Sequence, residues 1–353
     1  MSNKKRLDFL DSIRGIATIL VFIQHVVLYL RRESFINLNF AKITLWTVDF
    51  LDFGKIGVVL FFMLSGFLIP FSLKKNSKVK DFVLKRFFRL YPIFWVSIIL
   101  GVLLLWNPLP SLKTILANIT MVPEMLGFKS IIGVYWTLQI ELIFYAFCVI
   151  LFVFGSLHNF SKVFMSSVGF LLIAFVGSVI RYYLQIKLPI ALFLALSLMF
   201  YGYILKSYIL YKNGGLSFIN NKNSFFIKLY PIVFSIIMLA ISFLAYNKDY
   251  GHNEVWYKYF LSYTIAFILF LLLTIKIKIK NKALSYFGKI SYSFYLFHVL
   301  GIHVIGYLNL GEGFLSNILF LILSFILSTI ISILGFNFIE QKFIKIGYNF
   351  IKR

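Results

Sequence analysis

The chain is 353 residues long, 61% hydrophobic, 20% aromatic and only 13% charged, with a mean hydropathy of +0.91. An ordinary soluble domain is about 45–50% apolar and about 25% charged, so too little polar surface remains to coat a globule in water, and a soluble enzyme is excluded. The net charge of +23 comes from 35 Lys and Arg against 12 Asp and Glu. These bases fall in short clusters between apolar runs rather than on one solvated face, so no nucleic-acid partner is expected. The single cysteine, Cys148, can form no internal disulfide.

A helix needs about 20 apolar residues to cross the hydrocarbon core of a bilayer. Ten runs of roughly that length occur, at about 13–30, 55–73, 90–106, 136–155, 164–180, 188–208, 229–246, 258–275, 289–308 and 315–338. Backbone polar groups in lipid must pair within their own segment. The runs therefore predict an all-α polytopic membrane protein of about ten transmembrane helices, a single domain over residues 1–353 with no additional soluble C-terminal domain.

The first run follows Lys4, Lys5 and Arg6 as a signal sequence would. Asp8, Asp11 and Arg14 interrupt its approach and no small-residue cleavage site follows, so it is expected to stay in the protein. His25 comes eleven residues after Arg14, about three turns or 16 Å of rise, which puts both on one helical face. The plainer reading has Arg14 snorkelling or paired with Asp11, and His25 as a packing residue.

Ahead of the third run, Lys74, Lys75, Lys78, Lys80 and Lys85 lead to Arg86 and Arg89. The two arginines, at i and i+3, are neighbours on one face and can make forked contacts to phosphate oxygens; a positive-inside cluster is the competing explanation. The fourth run carries Glu141 and the ninth His298, with His303 beyond it. Ionisable groups at that depth are expensive and usually functional. His25, Glu141 and His298 together suggest one shared polar cavity, in which an imidazole can act as general base.

Counting Lys and Arg in alternate connections gives about 24 on one side and about 9 on the other, which puts both termini in the cytoplasm. Cysteines placed at Ser77 and Asn253 are then expected to be labelled from opposite sides. The long outer connections, about 31–54 and 107–135, have room for short interfacial or re-entrant helices.

Five segments, in this order, resemble the acyltransferase-3 family of integral membrane acyltransferases. They are Leu10-Asp11-Ser12-Ile13-Arg14 with His25, Phe61-Phe62-Met63-Leu64-Ser65-Gly66-Phe67-Leu68, Arg86-Phe87-Phe88-Arg89-Leu90-Tyr91-Pro92, the stretch from Trp136 and Thr137 through Glu141 to Tyr145, and Ile290-Ser291-Tyr292-Ser293-Phe294-Tyr295-Leu296-Phe297-His298. The resemblance implies transfer of an acyl group, most often acetyl, from cytosolic acyl-CoA to a hydroxyl of a lipid-linked or surface glycan such as O-antigen lipopolysaccharide, capsule or exopolysaccharide. It implies a bacterial cytoplasmic membrane, acetyl-CoA as donor, no metal, and a separate extracytoplasmic partner as an option. Carried over by motif, His25 and Glu141 are the catalytic pair and Arg14, Arg86 and Arg89 hold the donor. Trp136, Thr137, Tyr145 and His298 are assigned to substrate binding. The rival class is a secondary transporter with a His/Glu site at the midplane.

Overall fold

The computed structural model describes residues 8–74, 76–214, 219–247 and 255–352; Lys4, Lys5, Arg6, Lys75 and Asn253 lie outside them. Every regular element among these residues is helical. In chain order the helices are α1 (Asp8–Arg32), α2 (Leu38–Leu45), α3 (Phe53–Leu68), α4 (Val79–Leu105), α5 (Leu112–Ile119), α6 (Trp136–Val153) and α7 (Phe160–Leu184). They continue with α8 (Ile190–Lys212), α9 (Asn221–Tyr246), α10 (Trp256–Leu271), α11 (Lys282–Lys289), α12 (Ser291–Gly306), α13 (Phe314–Gly335) and α14 (Gln341–Lys352). The two long connections hold the short helices α2 and α5.

Nine helical stretches among the described residues are long and apolar enough to cross a membrane. The remaining expected run, the ninth at about 289–308, is the 16-residue α12, whose rise of about 24 Å is shorter than a full span. It is short because α11 occupies the residues before it and Asn309, in the left-handed conformation at φ 46°, stands just beyond its end.

The outer helices invert the pattern of a soluble bundle. On α7 the buried residues Phe160, Val163, Ser167, Leu171, Ala174, Ser178 and Arg181 recur every three or four positions, while Met165, Leu172 and Val176 face outward. On α13 the buried stripe is Asn317, Phe320, Ser324, Ser328, Ser332 and Gly335, and Leu315, Ile322, Ile326 and Ile330 are exposed. Small and polar residues pack inward and large aliphatic ones meet the lipid, because burying Leu against another helix gains little over burying it in hydrocarbon. By contrast α8 is buried on almost every side and forms part of the centre of the bundle.

Close backbone approaches set the helices that carry the site. Gly15 of α1 lies against the Leu284 carbonyl of α11, and Gly288 of α11 against the Asp11 carbonyl of α1, so any Cβ at either position would collide with backbone. Ser12 and Ser285 hydroxyls meet at 3.0 Å between the same helices, and Ser285 Oγ donates to the Asp8 carbonyl at 2.9 Å. This clamp fixes the rotation of α1 and with it the direction of Arg14.

Candidate active site

Three wall-sharing cavities run through the bundle beside α1. The first, of about 760 Å³, lies at the end where α1 begins and is lined by Asp11, Arg14, Arg89, Tyr286, Lys289, Glu340, Gln341 and Lys345 among others. Arg14, Leu68 and Arg89 also line the second, of about 240 Å³, together with Arg86, Ser65, Thr137, Glu141, Tyr145, Tyr292 and Tyr295. Val58 and Tyr295 are shared between this arginine cavity and the third, of about 500 Å³, which holds Gln24, His25, Asp52, Lys55, Trp136, Tyr259 and Tyr263.

The arginine cavity is built by α1, α3, α4, α6 and α12. Arg86 and Arg89, one turn apart on α4, both reach it. The Arg86 guanidinium packs over the rings of Phe82 and Tyr145, 5.5 and 5.3 Å from their centroids, a cation–π arrangement that orients its fork. Arg14 lies 3.6 Å from Asp11 and lines two cavities, so the structural and cavity-facing readings of this residue hold together. Across the space, Glu141 Oε1 accepts from Tyr145 Oη at 2.5 Å and from Ser65 Oγ at 3.0 Å. Three guanidiniums and one carboxylate leave the walls positive, and among the described residues Arg86 and Arg89 join no ion pair. Such a wall suits a polyanion.

The partition between the arginine and histidine cavities is pinned by hydrogen bonds. Tyr295 Oη donates to the Val134 carbonyl at 2.8 Å and accepts from Thr137 Oγ1 at 2.7 Å. Tyr292 Oη donates to the Leu90 carbonyl at 2.9 Å, tying α12 to α4 two residues before Pro92.

In the histidine cavity the ring of His25 has a defined tautomer. Its Nδ1 is 2.9 Å from the Val21 carbonyl and 3.2 Å from Nε2 of His298. A carbonyl only accepts, so Nδ1 of His25 carries the proton and Nε2 keeps the lone pair that a general base needs. Nearby, Asp52 caps α3 by accepting from the Lys55 amide at 2.8 Å and pairs with Lys55 Nζ at 2.5 Å, and that ammonium sits 4.2 Å from the Tyr259 ring centroid. Gln24 Oε1 accepts from the Phe53 amide at 3.1 Å. The cavity thus combines aromatic faces with polar groups whose charges are internally balanced.

The predicted residues divide between these spaces. Arg14, Arg86, Arg89, Thr137, Glu141 and Tyr145 meet around the arginine cavity, and His25 and Trp136 line the histidine cavity. The single polar cavity expected for His25, Glu141 and His298 is not what forms: Glu141 sits on the arginine side of the partition. His298, expected to bind substrate, is fully buried and lines none of these cavities. It stands behind His25 because α12 turns that face toward α1.

Sequence reading passed over Glu340, which is buried with Ser293 Oγ donating to its Oε2 at 2.6 Å. A π-helical turn, Phe336–Glu340, joins α13 to α14 and resets the register there; the only linear trace is one acid just past an apolar run. Tyr295 and Ser65 reach the arginine cavity from within two of the motif segments, and Lys289 and Lys345 reach the mouth from outside them. Asp52 and Lys55, spaced i and i+3 at the head of the second run, are visible in the sequence as an opposite-charge pair on one helical face.

A basic cavity thus adjoins one that holds His25 inside a bundle of apolar helices. The model of the acyltransferase-3 family, described as an acyltransferase domain, matches residues 7–336, and the chain belongs to that family. A curated relative, the "Putative acetyltransferase ORF330" of Acidianus two-tailed virus, is 27% identical over 300 residues, covering 80% of this chain and 84% of that protein. No solved structure matches the chain. The protein is a multi-pass membrane acyltransferase, and the transporter reading is set aside.

Proposed function

We propose that the protein moves an acyl group, acetyl in the first instance, from cytosolic acyl-CoA to a hydroxyl of a cell-surface glycan, in a bacterial cytoplasmic membrane with both termini inside. The observation that carries this reading is the run of three wall-sharing cavities from a basic mouth to His25. Arg86, Arg89 and Arg14 hold the donor's diphosphate, and Lys289 and Lys345 meet its nucleotide end in the mouth. The thioester arm passes through the arginine cavity toward the Tyr295 partition, and the acceptor enters the histidine cavity, where Trp136 offers a face to a sugar ring.

His25 Nε2 takes the proton of the acceptor hydroxyl as its oxygen attacks the thioester carbonyl. The new C–O bond forms, the C–S bond breaks, and the thiolate leaves with the proton returned by His25. The same nitrogen is the nucleophile if the acyl group rests on His25 on the way. Glu141, held by Tyr145 and Ser65, faces the donor arm and sets the charge around it.

The test uses the purified protein in lipid vesicles with labelled acetyl-CoA and extracted surface glycan. Label is expected in the glycan, and Lys289→Gln/Lys345→Gln is expected to raise the KM for acetyl-CoA up to about fivefold, the scale of exposed charge contacts. The variant should leave acetyl-phosphopantetheine, which lacks the nucleotide, unaffected. Absence of label from any glycan offered, with label hydrolysed or untouched, overturns the acceptor assignment.

A further inference from the structure

We propose that His298 is a positioning residue for His25, holding the imidazole in the tautomer and orientation in which Nε2 can accept a proton. This rests on the reading of His25 as the base and assigns His298 a role other than substrate contact.

The argument starts from donors and acceptors. His298 Nδ1 lies 2.8 Å from the Tyr295 carbonyl and 3.2 Å from that of Phe294, two groups that only accept, so Nδ1 carries the proton. The neutral ring then has a bare Nε2, which faces His25 Nδ1 at 3.2 Å. The Val21 carbonyl, one turn back on α1, competes for the same proton. Without His298 that local bond alone would hold the ring, and it is compatible with more than one rotation about the side chain. The second acceptor, on a different helix, removes that freedom.

The packing around His298 is consistent with a fixed support. The residue has no exposed surface, and the Phe294 ring is parallel to it at 6.1 Å. Ser328 Oγ of α13 donates to the His298 carbonyl at 3.3 Å, and Gly301 lets α13 approach that turn closely. When His25 gains a proton, its Nδ1–H becomes a charged donor, and a bond to a neutral imidazole nitrogen strengthens. His298 therefore favours the imidazolium that forms during transfer. It does not relay the proton onward, since its other nitrogen already donates to backbone.

The experiment compares wild type, His298→Ala and His298→Gln in bilayers, with histidine labelled in carbon and nitrogen. Gln matters because its amide oxygen falls near the position of Nε2 and can accept from His25. In wild type the ring of His25, identified by its loss in His25→Ala, is expected to give the signals of a single Nδ1–H tautomer. His298→Ala should give mixed tautomers and a turnover about 100-fold lower, the cost of a misplaced reacting group, with the KM for donor and acceptor unchanged. His298→Gln should restore one tautomer and most of the turnover. An unaltered tautomer and turnover in His298→Ala would overturn the proposal. So would a Gln variant that inserts normally yet restores neither, which reduces His298 to packing. If His25→Ala itself transfers acetyl normally, the general-base reading fails, while the tautomer signals still report whether His298 orients the ring.

Discussion

The arginine and histidine cavities meet at one tyrosine yet are built on opposite plans. Around Arg86 and Arg89 the protein concentrates positive charge and, among the described residues, gives those two no ion pair. Around His25 the charges are already matched, Asp52 with Lys55, and hydrogen bonds fix ring orientation instead. In the function proposed above, the first plan serves affinity for a charged donor. In the same proposal the second serves control over a single proton. A membrane interior tolerates the first plan only near an aqueous mouth, and the 760 Å³ opening beside Arg14 and Arg89 supplies one.

The sharpest way to break this contrast is at His25. His25→Ala should lower transfer by about 10²–10⁴-fold, the range for loss of a general base, while insertion and donor affinity stay normal. It is read by labelled-acetyl transfer alongside donor binding to the same preparation. Substantial transfer by a well-inserted variant would return His25 to packing.

A smaller and different effect is expected in the other cavity. Arg86→Lys/Arg89→Lys keeps the charge but loses the forked geometry. Apparent affinity for acetyl-CoA should weaken by about ten- to a hundred-fold, the equivalent of one charge-assisted hydrogen bond, with turnover at saturating donor changing less. Lys78→Gln/Lys80→Gln, on exposed residues outside the cavity, serves as the control. Equal donor affinity in the arginine variant and wild type would leave the cluster as a topology signal only.

The smallest effect tests the partition. Tyr295→Phe removes one donor to the Val134 carbonyl and one acceptor for Thr137. Thr137 Oγ1, 3.2 Å from the same carbonyl, still satisfies it in part. The stability cost should be about 1 kcal/mol, read from thermal unfolding in detergent, with donor affinity preserved. A loss of donor affinity as large as that of the arginine variant would mean that the two cavities are not separate binding environments.

The helices were legible along the chain because lipid imposes a length and an apolar composition on any segment that crosses it. Runs such as 188–208 and 315–338 announce α8 and α13 with no knowledge of their neighbours. Arg86 and Arg89 were legible for a similar reason: a spacing of three places two side chains on one face whatever surrounds the helix. The eleven-residue interval from Arg14 to His25 likewise fixed their common face.

What only the tertiary structure decided is which faces meet. Glu141, His25 and His298 each fall well inside an apolar run, and that alone suggested one cavity. The structure separates Glu141 from His25 along the bundle, with Glu141 bonded to Ser65 late on α3 and His25 beside Asp52 and Lys55 at its start. Their levels depend on how α1, α6 and α12 shift and rotate against each other. That rotation is set by contacts between residues far apart in sequence, such as Gly15 with Leu284, Gly301 with Ser328 and Tyr295 with Val134. Glu340 enters the site through a π-helical turn, a local change of register that apolar periodicity does not encode. The sequence by itself marked the long apolar runs and their chemistry, since those answer to the bilayer. Close packing between helices, which no single segment contains, decided that the arginine cluster and His25 would occupy adjoining but separate spaces.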